Sequence, residues 1–101
     1  MNIKYGGVTY IITNQYNTVL YTGVTSALRA RIWEHKTKYY PKSFTAKYNC
    51  DKIVWYELLP TIGEAIDREK QIKAGNRKAK EQLINLMNPD WKDLWEEIQD
   101  I

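Results

Sequence analysis

The chain of 101 residues reads as one small α/β domain, a short antiparallel sheet with helices packed on it. Three observations predict this. Two β-type segments, Val8 to Thr13 and Val19 to Val24, are separated by the turn-forming Asn14-Gln15-Tyr16-Asn17-Thr18, which makes a hairpin. A third β-type run follows at Lys52 to Leu59. Between and after the strands lie segments whose apolar residues recur at helical spacing, each opened by a residue suited to cap it.

The elements follow in order. Ser26 is positioned to cap a helix running to about Lys36, and the stretch from there to Asp51 is long for so small a domain, which favours a functional role. Pro60 ends the third strand. Thr61-Ile62-Gly63-Glu64 has the form of a capping box, so a helix should begin there and run to about Ala74. Gly75 is the expected left-handed cap, and Asn76 the cap of a helix over Arg77 to Met87. After Asn88-Pro89, the stripe Trp91, Leu94, Trp95, Ile98 and Ile101 predicts a last helical segment whose rings belong to the core.

Composition narrows the function classes. A hydrophobic share of 44% and a charged share of 27% are those of a folded globular protein. No run approaches the ~18 apolar residues of a membrane span, and the first residues lack the apolar stretch of a secretory signal. A cytoplasmic protein with no membrane partner is the expectation, and at this size a monomer. One cysteine and one histidine can form neither an internal disulfide nor a structural zinc site.

The formal charge of +3 is unevenly spread. From Asn88 onward five acids face one lysine, so the rest of the chain carries about +7. No acid occurs between Glu34 and Asp51, while Lys36, Lys38, Lys42 and Lys47 alternate with Tyr39, Tyr40, Phe44 and Tyr48. Cations interleaved with flat rings suit a phosphate backbone and unstacked bases. A solvated loop whose rings pack on the core is the competing reading.

Helical periodicity breaks at three places. The inward series Leu28, Arg31, Ile32, His35 and the later series Ile62, Ala65, Ile66, Glu69, Ile72 put polar groups where apolar ones belong. Burying a charge without a partner costs several kcal/mol, so such positions mark either a ligand site or an Arg31–Glu69 ion pair between helices. Arg31 and His35 lie one turn apart and can reach one phosphate. Tyr10 and Tyr21 can share a sheet face as cross-strand neighbours, by core packing or by function. Gly23, just before the first helix, permits close approach of a ligand or a neighbouring element.

Taken together, Val8-Thr9-Tyr10, Tyr21-Thr22-Gly23, Arg31, His35 and Glu69 resemble the ordered motifs of the GIY-YIG nuclease superfamily, over nearly the whole chain. The surrounding Trp33-Glu34-His35-Lys36, Phe44-Thr45-Ala46-Lys47-Tyr48, Arg68-Glu69-Lys70-Gln71-Ile72-Lys73 and Asn88-Pro89-Asp90-Trp91 resemble its small stand-alone bacterial members. The resemblance implies the GIY-YIG endonuclease fold, an α+β domain with a three-stranded antiparallel sheet flanked by helices, and a catalytic set of Tyr10, Tyr21, Arg31, His35 and Glu69. It implies Mg²⁺ or Mn²⁺ held by Glu69, with DNA hydrolysis as the reaction, RNA left open as a substrate, and repair or recombination as the setting. Within that set Tyr10 would be the general base, Tyr21 would order the water or scissile phosphate, and His35 would hydrogen-bond Tyr10 or the phosphate. Gly23, Lys36, Lys38, Lys42, Lys47 and Lys73 are the expected nucleic-acid contacts. A binding module that keeps the scaffold without cutting is the alternative, and an interaction domain using the acidic tail a third.

Val8 and Thr9 stand where the first motif would have Gly and Ile, and Thr22 replaces an isoleucine in the second. Thr22 should point away from Tyr21 and Gly23, making its change one of packing. Many relatives carry an asparagine where this chain has Glu81; Asn85 and Asn88 are the nearest substitutes, and that role is not carried over to them.

Overall fold

A computed structural model describes residues 4–101. Strand β1 (Gly7–Thr13), β2 (Leu20–Thr25), helix α1 (Leu28–Thr37), the single turn α2 (Phe44–Lys47), β3 (Lys52–Leu59), α3 (Ile62–Ala74) and α4 (Arg77–Met87) follow in chain order. A 3₁₀ turn over Glu97–Asp100 closes the chain. The sheet is antiparallel with order β2-β1-β3, so the wholly buried β1 is central and β2 is an edge.

The pleat divides the core in two. Val8, Tyr10 and Ile12 face one side with Leu28 and Ile32 of α1, Cys50, Ile53, Leu94 and Ile98. Ile11 faces the other with Val54, Trp55, Ile72 of α3 and Ile84 of α4. Val54 and Trp55 share a face although they are consecutive, because the β1–β3 register shifts between Ile11 and Ile12, a bulge that places one extra residue on β3. Asn88 Nδ2 donates to the Val54 carbonyl at 3.2 Å, supplying a partner beside the bulge.

The predicted caps at the later helices are present. Thr61 and Glu64 form the capping box, and the Asn76 side chain accepts from Ala79 N at 2.9 Å. Three expectations are corrected. Ala27, not Ser26, is the N-cap of α1 and makes no side-chain cap; Thr25 Oγ1 instead accepts from Ala27 N at 3.0 Å. Gly75 has φ −80° and ψ 162°, extended rather than left-handed, and left-handed backbone occurs at Asn17, Lys38, Asn49 and Trp91. The last segment is not a continuous helix.

It is nevertheless core. Leu94 and Ile98 are buried, Leu94 N donates to Ile53 O at 2.8 Å, and Tyr56 Oη donates to Glu97 at 2.7 Å. The tail thus lies against β3 and α1. No helix among the described residues is long and apolar enough to cross a membrane.

Candidate active site

The register explains how the two tyrosines meet. Tyr10 pairs with Gly23 and Ile12 with Tyr21, so Tyr10 and Tyr21 lie on the same face as diagonal neighbours rather than directly opposite. The glycine is a steric necessity: a Cβ at residue 23 would lie 2.4 Å from the Tyr10 hydroxyl oxygen. The neighbouring element that this glycine admits is the Tyr10 ring. Thr22 pairs with Ile11 on the opposite face, as expected, with its hydroxyl buried and unpaired.

Helix α1 brings its two polar exceptions to these rings. Tyr10, 1% exposed, has its hydroxyl 2.8 Å from His35 Nε2, and the Tyr21 ring centroid lies 6.0 Å from that of His35. Burial pushes the Tyr10 phenol well above its usual value, opposed by the nearby Arg31 guanidinium. Burial and the same guanidinium pull His35 down to about 4, so it is neutral at physiological pH. Its other nitrogen, Nδ1, lies 3.0 Å from Thr45 Oγ1 on α2.

Helix α3 supplies the carboxylate from the other side of the β2 edge. Glu69 is 16% exposed and lies 3.4 Å from Lys73 Nζ, which in turn sits 5.9 Å from the Tyr21 ring centroid. A continuous run of contacts therefore joins Glu69, Lys73, Tyr21, His35 and Tyr10. The suggested Arg31–Glu69 ion pair is absent; Arg31 bonds Glu34 at 3.0 Å and Glu69 bonds Lys73, each within its own helix. Among the described residues no three His, Cys, Asp or Glu side chains gather into a metal cage. One nearly buried carboxylate beside open solvent does suit Mg²⁺, which keeps most of its waters and takes one or two protein oxygens.

The basic aromatic segment stays outside the core. Trp33, Tyr39, Tyr40, Phe44 and Tyr48 are exposed, which sets aside packing of the rings on the core. They form two groups flanking the site. Tyr40 lies under Arg31, 5.8 Å from centroid to guanidinium, and contacts Tyr39, which contacts Trp33. Phe44 contacts Tyr21 on one side and Tyr48 on the other, with Lys47 over the Tyr48 ring. Lys38 and Lys42 are exposed on the same segment.

Lys36 is a correction. Its Nζ donates to Asp51 O at 2.8 Å and to Asp93, and it lies over the Trp95 ring; it ties α1 to the tail. The Asn88 side chain holds Val54 and Lys92, Asn85 accepts from Trp91 Nε1 at 2.6 Å, and Glu81 pairs with Arg77. Each of these three is committed away from the site.

Residues the sequence reading passed over are Thr45 and Ser43. Thr45 enters only within Phe44-Thr45-Ala46-Lys47-Tyr48, as part of the family resemblance, and nothing in its spacing points at His35.

Residues 6–83 match the GIY-YIG catalytic domain. The chain belongs to the GIY-YIG family. It is similar to a UPF0213 protein of Syntrophus aciditrophicus (strain SB), 35% identical over 71 residues, or 70% of this chain and 80% of that protein. It is also similar to the solution structure of the UPF0213 protein of Bacillus halodurans, with a TM-score of 0.54 and 25% identity over 86% of this chain and 90% of that one. GIY-YIG membership places the domain in a nuclease-type family, and the observed three-stranded antiparallel sheet with four helices is the α+β architecture shared with that structure. In this GIY-YIG domain the matched segment ends before the tail that covers β3.

Proposed function

We infer that this GIY-YIG protein is a divalent-cation-dependent endonuclease that hydrolyses DNA phosphodiesters, with DNA repair or recombination as its setting. The observation that carries the reading is the convergence of Tyr10, Tyr21, His35, Arg31 and Glu69, from four different elements, around one edge of the sheet. Convergence of four elements' polar side chains on one point is costly in a core and common at a site.

Mg²⁺ or Mn²⁺, held through Glu69, would supply positive charge to a phosphate oxygen and to the leaving group. The chain's own residues do the rest. Tyr10 takes the proton of the attacking water, which requires its raised pKa to be offset, and Arg31 is the offsetting charge in place. Arg31 exchanges Glu34 for the phosphate, to which its guanidinium donates two hydrogen bonds that strengthen as charge develops. Tyr21 orders the water or the scissile phosphate, and Lys73 releases Glu69 and turns towards the substrate. Lys38, Lys42 and Lys47, with the flanking rings, hold the strand.

The test is incubation of the purified protein with plasmid, branched and single-stranded DNA and with RNA, with and without Mn²⁺. Cleavage should require the cation, and Tyr10→Phe, Arg31→Ala and Glu69→Ala should each reduce it by about 10²- to 10³-fold. Cleavage that survives all three substitutions would belong to another site. One observation favours the binding module as a second reading: Lys73 closes on Glu69. That module would give salt-sensitive affinity and no product with either cation.

A further inference from the structure

Tyr10 presents a contradiction that the family resemblance does not resolve. A base must lose its proton before or as it accepts another, yet this phenol is buried, and its neighbour His35 is a poor acceptor because it does not readily become imidazolium. The resolution lies beyond His35. His35 Nδ1 is 3.0 Å from Thr45 Oγ1, and Thr45 Oγ1 is 3.2 Å from Ser43 Oγ. Thr45 is 5% exposed, whereas Ser43 is only half-buried, so this line of atoms leads from the buried phenol towards solvent.

We propose that Thr45 and Ser43 form, with His35, a hydrogen-bonded wire that discharges the Tyr10 proton to solvent, Thr45 being the positioning residue that makes His35 a conduit. The proposal rests on the nuclease reading for its purpose, though not for its geometry.

The donors and acceptors balance in two states. In the resting state Tyr10 Oη–H donates to His35 Nε2, His35 Nδ1–H donates to Thr45 Oγ1, and Thr45 Oγ1–H donates to Ser43 Oγ, which also accepts from Ala46 N at 3.2 Å. In the discharged state every proton has moved one place. The Tyr10 proton is on Nε2, the Nδ1 proton is on Thr45, the Thr45 proton is on Ser43, and the proton of Ser43 has gone to water. Four O–H or N–H bonds break and four form, with one proton delivered to solvent and one negative charge left on the phenolate. His35 stays neutral in both states and merely changes tautomer. The phenolate then accepts from Nε2–H, so neither state leaves a buried donor or acceptor of the wire unpaired.

The charges around Tyr10 bear on which state prevails. Helix α1 presents Arg31, with Glu34 paired to it; β2 presents Tyr21, and α3 presents Glu69, which opposes the phenolate. Strand β3 presents Tyr56 as register partner, its own hydroxyl engaged by Glu97. Two cations stand in this surround: Lys73, which is paired to Glu69 and lies over the Tyr21 ring, and Arg31, whose charge bears on Tyr10 itself.

Two measurements test the wire. The first is ¹⁵N NMR of the neutral His35 ring in the substrate-free protein, which should show the Nδ1–H tautomer as the major form. An Nε2–H majority there would overturn the proposal whatever the protein cuts. The second is the rate of cation-dependent cleavage by Thr45→Val and Thr45→Ser against pH. Valine should lower kcat by about 10- to 100-fold, leave KM and cation-free DNA affinity within about twofold, and move the rising limb of the pH profile to higher pH; serine, which keeps the hydroxyl, should restore the rate and the profile. A Val variant with wild-type kcat and profile would sink the wire. If the wild type cuts nothing, the nuclease reading fails and the tautomer still decides the wire. A Val variant that fails to fold leaves the decision to the tautomer and to Thr45→Ser.

Discussion

Residues 33–48 and residues 88–101 are made of similar material, aromatic rings and charges mainly of one sign, and they end in opposite situations. In the first segment the rings stand exposed, and Lys38, Lys42 and Lys47 make no ion pair among the described residues. In the second, Leu94 and Ile98 are buried, Trp95 packs against the same cluster, and Asp93 and Glu97 are bonded to the body of the domain. What separates the two is aliphatic anchoring: the tail carries Leu94 and Ile98 at core spacing, and the front segment offers the interior the polar His35, the Thr45 methyl and the small Ala46. The signs of charge then sort the partners. The acidic tail finds its cation in Lys36, the first lysine of the front segment, while Lys38, Lys42 and Lys47 stay outside such pairs among the described residues.

The comparison can be broken or sharpened by substitution. Leu94→Ala should have the largest effect on folding, a loss of about 2–5 kcal/mol by urea denaturation; a loss under ~1 kcal/mol would mean that the tail is not core. Acid should weaken the front of the core next. His35 titrates at about 4 when folded and near 6.5 when unfolded, so between those values the unfolded chain binds more protons. Its contribution is therefore complete above pH 6.5 and is lost as pH falls through about 4. Denaturation midpoints measured across this range should fall with acid, and His35→Gln should flatten that slope.

Asp93→Ala removes the partner of Lys36 and of Ile53 N, and should cost about 1–3 kcal/mol without changing DNA affinity at neutral pH by more than about twofold. The smallest stability effect belongs to Lys42→Gln and Lys47→Gln, within about 0.5 kcal/mol. Each should nevertheless reduce the slope of log affinity against log salt by about 1. Unchanged slopes would return the front segment to the status of a solvated loop.

The elements were legible in the sequence wherever a local signal set them. The capping box at Thr61, the Asn76 cap and the alternation in the strands all act over a few residues. Gly75 failed because glycine permits left-handed backbone without requiring it, and the short link from α3 to α4 continues in extended form. Ser26 failed because Thr25, one residue earlier, takes up the amide at the start of α1. The site was half legible. Arg31, His35 and Glu69 declared themselves as polar interruptions of apolar series, whereas Lys36 was misread because the carboxylate it bonds lies 57 positions away. Thr45 was invisible for the same kind of reason: a buried hydroxyl in a four-residue helix has no periodicity to violate.

Gly23 has a last consequence. Its missing side chain is the space in which the Tyr10 ring lies, so positions 10 and 23 form a lock whose two halves cannot change separately. An added methyl at Gly63, by contrast, would meet nothing closer than 3.9 Å. In a library selected only for folded protein, alanine should accumulate freely at 63 but enter at 23 only in chains that have given up the tyrosine at 10. Loss of the phenol and gain of a methyl would then travel as one inherited event, leaving an intact fold with no route back to its former chemistry by a single change.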